Sequence, residues 1–305
     1  MERIRYRRYI GGWSKTIFMV SFVLAVSCDG PTEDTAQSTG SEVETTVVPP
    51  TGPGLPPSAD TALAAIESSP RHGEWVEIQT GEVPISTWVV YPERSDSAPI
   101  VLVIHEIYGL TGWIRGVADQ FAAEGFIAVA PDLLSGMGPD GGGTEAFESR
   151  DDVVATIRTL EAEERTRRLD AVREYSLDIP AGNGRIGSVG FCWGGMSSFA
   201  YAVSQVELNA AVVYYGTSPE DEEAFVQINA PVLGLYGGDD ERVNSTIPRA
   251  EDSMARLGKP FESILFDGAG HGFLRAQNDR DGANMRATEQ AWPRTVNFFR
   301  EHLGN

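Results

Sequence analysis

Six residues decide how this chain folds: Gly190-Phe191-Cys192-Trp193-Gly194-Gly195. A strand-like run at 184–189 precedes them, and a helix-like run at 196–203 follows. The pattern G-x-C-x-G between a strand and a helix predicts a sharp, strained turn whose glycines make room for the backbone and push the cysteine outward. A sulfur at a helix N-terminus is favoured as a thiolate by free N–H groups and the helix dipole. The alternative is a buried structural cysteine.

One histidine stands where such a sulfur would need a general base. The strand-like run 261–266 leads into a glycine-rich loop that presents His271. The chain has 4 histidines, of which His72 and His302 lie in polar surroundings near the ends of the folded region. His105 ends an apolar strand, as a core histidine would. We therefore expect His271 to act as the general base, with a structural loop histidine as the alternative.

Two acids lie between the cysteine and this histidine. The apolar run 230–236 predicts a strand, and Asp239 and Asp240 follow its carboxyl end, where open α/β sheets place their chemistry. A carboxylate there would orient the imidazole and stabilise its charged form. Either acid suits this role, and either could instead cap the next helix. The order nucleophile, acid, histidine is that of the α/β hydrolases.

A further carboxylate follows another apolar strand. The run 98–104 is followed by His105-Glu106-Ile107-Tyr108-Gly109, where the first oxyanion-hole loop of such a fold should begin. His105 and Glu106 also start the pattern of a zinc protease, but no second histidine follows at the required spacing. We therefore expect neither a metal nor a cofactor.

Four separated motifs together resemble the dienelactone hydrolase family and span most of residues 75–303. They are His105-Glu106-Ile107-Tyr108-Gly109, Gly190-Phe191-Cys192-Trp193-Gly194-Gly195, Gly237-Gly238-Asp239-Asp240-Glu241-Arg242-Val243 and His271-Gly272-Phe273-Leu274-Arg275.

The resemblance implies a triad of Cys192, His271 and Asp240, because the family's acid is followed by an apolar position that Val243 matches. It also implies that Glu106 contacts the resting thiol and keeps it from being a permanent thiolate.

The resemblance further assigns the substrate contacts. Backbone N–H groups of Ile107 and Trp193 would form the oxyanion hole, and Arg275 matches a family arginine that binds the substrate carboxylate. The implied reaction is hydrolysis of a small lactone or ester through a thioester. A second family arginine cannot be placed among the many arginines of residues 150–173.

Composition agrees with one large catalytic domain, expected at residues 66–305. The chain has 305 residues and is 41% hydrophobic, which is enough for a single α/β core. Predicted strands alternate with helical stretches at 114–124, 151–175, 245–257 and 287–302. This alternation predicts the α/β-hydrolase fold, with a mostly parallel twisted sheet covered by helices on both faces.

The first 65 residues have a different character. Basic residues precede the apolar run 17–26, which is typical of a signal-peptide core and short for a membrane span. We expect a signal peptide at 1–27, lipidation of Cys28 in a lipobox-like Leu24-Ala25-Val26-Ser27-Cys28, and a disordered tether at 28–65. The chain would then be an exported, membrane-anchored bacterial lipoprotein of the periplasm or cell surface. An uncleaved membrane anchor is the alternative.

The net charge of the chain limits the kinds of partner that we expect. The formal net charge is −20, which excludes nucleic acid as an expected ligand. The partners we expect are a small lactone or ester and, through Cys28, a membrane.

Three other functions compete with a lactonase. A glutamine amidotransferase needs a His-x-Glu pair, which the sequence after His271 lacks. A general carboxylesterase and a non-catalytic surface lipoprotein with a hydrolase fold stay open.

Overall fold

The computed structural model describes residues 54–81 and 83–304. Its strands form one eight-stranded sheet in the order β1-β2-β4-β3-β5-β6-β7-β8. The strands are β1 (Gly73–Ile78), β2 (Ile85–Val90), β3 (Ala98–Ile104), β4 (Ile127–Pro131), β5 (Gly182–Phe191), β6 (Ala210–Tyr214), β7 (Val232–Gly237) and β8 (Phe261–Phe266). The α-helices are α1 (Ala62–Glu67), α2 (Gly112–Ala123), α3 (Arg150–Ile157), α4 (Ala162–Leu177), α5 (Trp193–Ser204), α6 (Ala224–Gln227), α7 (Glu241–Asn244), α8 (Ile247–Arg256) and α9 (Ala283–Leu303).

The sheet is parallel from β4 to β8, and only the pairings of β1 with β2 and of β2 with β4 are antiparallel. Every residue of β3, β4, β6 and β7 is buried. Strands buried on both faces read as continuous apolar runs, which is why these segments show no alternation in the sequence. The predicted mostly parallel α/β-hydrolase sheet is confirmed.

Alternate residues of β3 show the two faces. Val101 and Val103 pack in a cluster with side chains of α2 and α9. Ile100 and Leu102 point the other way, into a cluster with α4, α5 and α8. Because successive side chains of a strand point to opposite sides, helices cover both faces of the sheet, as predicted.

One predicted helix is interrupted. The stretch 151–175 contains both α3 and α4, whereas 245–257 begins just after the short helix α7 and contains the whole of α8. After α3, the Thr159 hydroxyl donates to the carbonyl of Thr156 at 2.7 Å, and Leu160 turns into the core. A side chain that bonds its own backbone competes with the helix. No glycine or proline marks this break in the sequence.

The predicted tether is wrong at its C-terminal end, because residues 55–65 pack against the catalytic domain. The Pro57 carbonyl accepts from Trp113 Nε1 at 3.1 Å, and the Pro56 carbonyl accepts from Gln277 Nε2 at 2.9 Å. The N–H of Ala59 donates to the carbonyl of Arg275 at 3.0 Å. Composition misses such a segment because it docks through backbone hydrogen bonds and through only a few apolar side chains, among them Leu55 and Ala62.

The signal peptide at 1–27, the lipidation at Cys28 and the rest of the tether lie outside the described residues. Within the part of the chain that the structure describes, no helix is long and apolar enough to cross a membrane.

Candidate active site

The backbone turns sharply between β5 and α5, at Cys192. This residue has φ 57° and ψ −113°, a conformation that costs an L-residue energy and persists only where its surroundings enforce it. A Cβ on Gly190 would lie 1.8 Å from the Gly194 carbonyl oxygen, and a Cβ on Gly194 would lie 2.4 Å from the carbonyl oxygens of Ile104 and His105. The glycines predicted to make room for the turn are therefore required, and they fix the cysteine above the end of the sheet.

His271 and Asp240 come together beside this turn. The loop after β8 carries His271, and Asp240 precedes α7 after β7. His271 Nδ1 lies 2.5 Å from Asp240 Oδ2, and Asp240 is 7% exposed. The competing acid, Asp239, points outward and pairs with Arg280 at 2.7 Å. The acid beside the imidazole is thus Asp240, while Asp239 makes a surface ion pair.

The surroundings of the His271 imidazole favour its protonated form. Burial disfavours its charged form, but the hydrogen bonds and charges of Asp240 and Cys192 overcome this and raise the pKa of His271 to about 9. The ring of Tyr215 lies 5.2 Å from that of His271, and Tyr215 lines one cavity with Cys192. Cys192, His271 and Asp240, predicted from separate segments, therefore meet at the carboxyl edge of the sheet.

Glu106 lies after β3 and is 4% exposed. Its Oε1 forms an ion pair with Arg275 Nε at 2.9 Å, without the alignment of a hydrogen bond. Burial raises the pKa of Glu106 to about 7, although the positive charges of Arg275, Arg150 and His271 oppose this. The contact that the structure records for Glu106 is thus with the arginine expected to bind substrate.

Tyr108 connects this ion pair to a second arginine. The guanidinium groups of Arg275 and Arg150 each lie 5.3 Å from the centre of its ring, within the range of a cation–π contact. The sequence did not single out Arg150 among the arginines of its region. Two cations therefore flank Tyr108 near the buried carboxylate of Glu106.

A cavity of about 350 Å³ opens beside the cysteine. Its lining residues come from five loops and helix ends: Ile107, Arg158, Cys192, Trp193, Met196, Tyr215, Thr217 and Arg242. The predicted oxyanion residues Ile107 and Trp193 both belong to this wall. In the described part of the chain, neither of their N–H groups donates to another backbone group outside regular elements.

Trp193 makes two ring contacts. Its ring stacks on His105 at 5.7 Å and 12°, and the Arg165 guanidinium lies 5.6 Å from its centre. His105 is fully buried, donates from Nδ1 to the Glu106 carbonyl at 2.9 Å and accepts the N–H of Leu133 at Nε2, 3.1 Å away. Burial lowers the pKa of His105, so it is a neutral structural histidine, as its sequence position indicated.

Tyr215 is a site residue that the sequence analysis missed. It follows β6 with φ 38°, and its ring meets that of His271 edge-on at 5.2 Å. Its hydroxyl is buried and has no hydrogen-bond partner among the described residues. Burial raises the pKa of Tyr215 well above its usual value, so the phenol is a neutral donor. Its position just after a parallel strand was the available signal.

The described residues contain no group of side chains suited to bind a metal ion. Within residues 54–81 and 83–304, no three or more histidines, cysteines or carboxylates are arranged to hold a metal ion.

The model of the dienelactone hydrolase family matches residues 85–303. This chain belongs to the dienelactone hydrolase family. Dienelactone hydrolases and their carboxymethylenebutenolidase relatives act on ester bonds, and the chain is accordingly a hydrolase of this type.

Relatives and solved structures agree with the family assignment. The chain is 29% identical over 246 residues to a protein of Saccharolobus solfataricus provisionally named carboxymethylenebutenolidase, covering 71% of this chain and 93% of the relative. An Aquifex aeolicus protein of the same provisional name is 30% identical, over 76% and 99% of the two chains. A Klebsiella pneumoniae structure provisionally named dienelactone hydrolase superposes with a TM-score of 0.67 at 24% identity, over 76% and 99%. This last similarity shows the shared fold.

Proposed function

We propose that the enzyme hydrolyses lactones or esters through a thioester on Cys192. The observation that carries the proposal is the meeting of a strained, outward-facing cysteine with His271 and Asp240 at one edge of the sheet. A nucleophile next to a base that is itself oriented by a third group is the arrangement of covalent acyl transfer.

The bonds made and broken involve only the triad, the substrate and water. His271 takes the proton of the Cys192 thiol as the sulfur attacks the carbonyl carbon. The carbon–oxygen single bond of the ester then breaks, and His271 returns the proton to the leaving alkoxide. In a lactone the alkoxide stays attached to the acyl group. Water, deprotonated by His271, finally attacks the thioester and releases the acid and the free thiol.

Ile107 and Trp193 are the proposed oxyanion hole. Negative charge develops on the carbonyl oxygen in each attack, and backbone N–H groups fixed in the cavity wall can accept it without reorganising. Each such donor contributes roughly 3 kcal/mol to the transition state. The contacts of the Trp193 ring with His105 and Arg165 would hold one donor in place.

Arg275 is the proposed binding group for a substrate carboxylate. The relatives' name, carboxymethylenebutenolidase, describes an enzyme whose substrate is a lactone that carries a carboxylate. Arginine can bind a carboxylate through two parallel hydrogen bonds. Its present partner, Glu106, would have to give way. Arg275 would exchange its ion pair with Glu106 for one with the substrate carboxylate. Glu106 would then be free to influence the thiol.

The test is a hydrolysis screen of carboxylated lactones and short neutral esters with Cys192→Ala and Cys28→Ala. We expect Cys192→Ala to lose hydrolysis and Cys28→Ala, the other cysteine of the chain, to retain it. Undiminished hydrolysis by Cys192→Ala would overturn the proposal. A preference for neutral esters over every carboxylated lactone would favour a general carboxylesterase.

We also propose that the enzyme is exported and anchored through a lipid on Cys28. The support is the basic and apolar leader that ends in a lipobox-like sequence. Mass spectrometry of the N-terminal peptide from membranes should find a diacylglyceryl group on Cys28, and Cys28→Ala should release the protein from the membrane fraction. An intact leader on the membrane-bound protein would instead indicate an uncleaved anchor.

A further inference from the structure

We propose that Arg158 and Arg242 form a second anion site in the cavity beside Cys192, for a carboxylate remote from the scissile carbonyl. The inference rests on the proposed ester or lactone hydrolysis and narrows its substrate class. The favoured substrate would be an ester or lactone with an acidic group at the far end of an extended arm.

The two arginines reach the same cavity from different parts of the chain. Arg158 directly follows α3, and Arg242 lies in α7, two residues after Asp240. Both line the cavity that also contains the Cys192 side chain. No aspartate or glutamate is among the lining residues that the structure describes. An anionic ligand there would meet two guanidinium groups without a competing carboxylate in the wall.

Arg158 and Arg242 belong to the minority of the described arginines that form no ion pair with a carboxylate. The chain has 44 acidic residues against 24 lysines and arginines, so an exposed arginine readily finds a carboxylate. In the described residues, eleven arginines form such pairs, and Arg158 and Arg242 are not among them. Two unpaired cations in one cavity of a strongly acidic protein indicate a ligand that brings the negative charge.

This site is separate from the cations around Tyr108. Arg275 is already paired with Glu106, and it shares the Tyr108 ring with Arg150. Neither Arg275 nor Arg150 lines the cavity of Arg158 and Arg242. A substrate could therefore place one carboxylate near Arg275 and another in the cavity.

The cavity also has room for a longer molecule. Met196 and Thr217 line it and also an adjoining cavity of about 550 Å³. The adjoining cavity reaches Arg249, whose Nε is buried without a hydrogen-bond partner among the described residues. Pockets of this size take ligands larger than a single small ring. Because Glu220 also lines the adjoining cavity, the charged end of an acyl chain on Cys192 is expected at Arg158 and Arg242, and the adjoining cavity leaves room for the chain to bend.

The first test uses 4-nitrophenyl half-esters of adipic and suberic acid, each compared with the uncharged 4-nitrophenyl ester of matched chain length. The measured quantity is the ratio of kcat/KM between charged and uncharged members. In the double variant Arg158→Gln, Arg242→Gln the ratio should fall by roughly tenfold or more, as expected for loss of a charged hydrogen bond. Arg185→Gln is the matched control, because Arg185 is exposed and lies near the start of β5, away from the Cys192 end. An unchanged ratio in the double variant at both chain lengths would overturn the site.

The second test does not need hydrolysis. In the full-length protein, Cys192 is alkylated with iodoacetate or iodoacetamide, and peptide mass spectrometry gives both rates. The ratio of the alkylation rate with iodoacetate to the rate with iodoacetamide should fall several-fold in the double variant. It should stay constant in Arg185→Gln. If the wild type hydrolyses no ester, the proposed function fails, while this ratio still decides the anion site: a fall supports it and no change refutes it.

Discussion

Replacing Asp240 by asparagine isolates the electrostatic part of the proposed triad. The side chain keeps its size, so the buried site before α7 stays filled, but the negative charge 2.5 Å from His271 Nδ1 is removed. A hydrogen bond to a charged group contributes about 1.5–3 kcal/mol, and each 1.4 kcal/mol changes a rate about tenfold. We expect kcat to fall by roughly 10- to 150-fold from the loss of this charged hydrogen bond alone. The fall is larger if the imidazole adopts the wrong tautomer.

Asp239→Asn is the matched control, because it removes the same charge one residue away. Asp239 pairs with Arg280 at the surface, with half of its side chain exposed, and surface pairs contribute little. Its kcat should stay within about twofold of wild type. The assay is steady-state hydrolysis of a short aryl ester, with circular dichroism to confirm folding. Equal losses in the two variants, or a larger loss for Asp239→Asn, would refute the assignment of Asp240.

Three further predictions concern Arg275, Glu106 and the N-terminal segment. Arg275→Ala should raise KM for a carboxylated lactone by roughly tenfold more than for a neutral aryl ester; equal effects on both would indicate a structural role. KM for the carboxylated lactone should rise with pH above about 7, because Glu106 is neutral below its pKa of about 7 and ionised above it, where it holds Arg275 and repels the substrate; a pH profile unchanged in Glu106→Gln would contradict this. A chain beginning at residue 62 should melt roughly 6–12 °C below one beginning at residue 54, because it loses three hydrogen bonds to the rest of the domain, each contributing about 1 kcal/mol; equal Tm values would show that the segment adds no stability.

The sheet could be predicted because its strands are simple apolar runs. β3, β6 and β7 stand out in the sequence since burial on both faces leaves no polar positions. The interruption between α3 and α4 could not be foreseen, because it depends on Leu160 turning into the core. The docking of residues 55–65 was equally hidden, since its partners Trp113 and Gln277 are distant in the sequence.

The site residues that could be predicted from the sequence are those that follow strand ends. Cys192, Asp240 and His271 each follow a parallel strand, and one structural rule brings them to the same edge. The choice between Asp239 and Asp240 rested on resemblance, because neighbouring residues differ only in the direction of their side chains. Arg158 and Arg242 could not be selected, since nothing in the sequence distinguishes an arginine in a cavity from one on a solvated helix.

The proposed hydrolysis depends most on a covalent intermediate at Cys192. The direct measurement is rapid acid quenching of the full-length enzyme during turnover of 4-nitrophenyl acetate, followed by peptide mass spectrometry. We predict an acetyl group on the Cys192 peptide that is removed by hydroxylamine, and that forms and decays at least as fast as turnover. Turnover with Cys192 unmodified throughout, or with the acetyl group on another residue, would contradict the account.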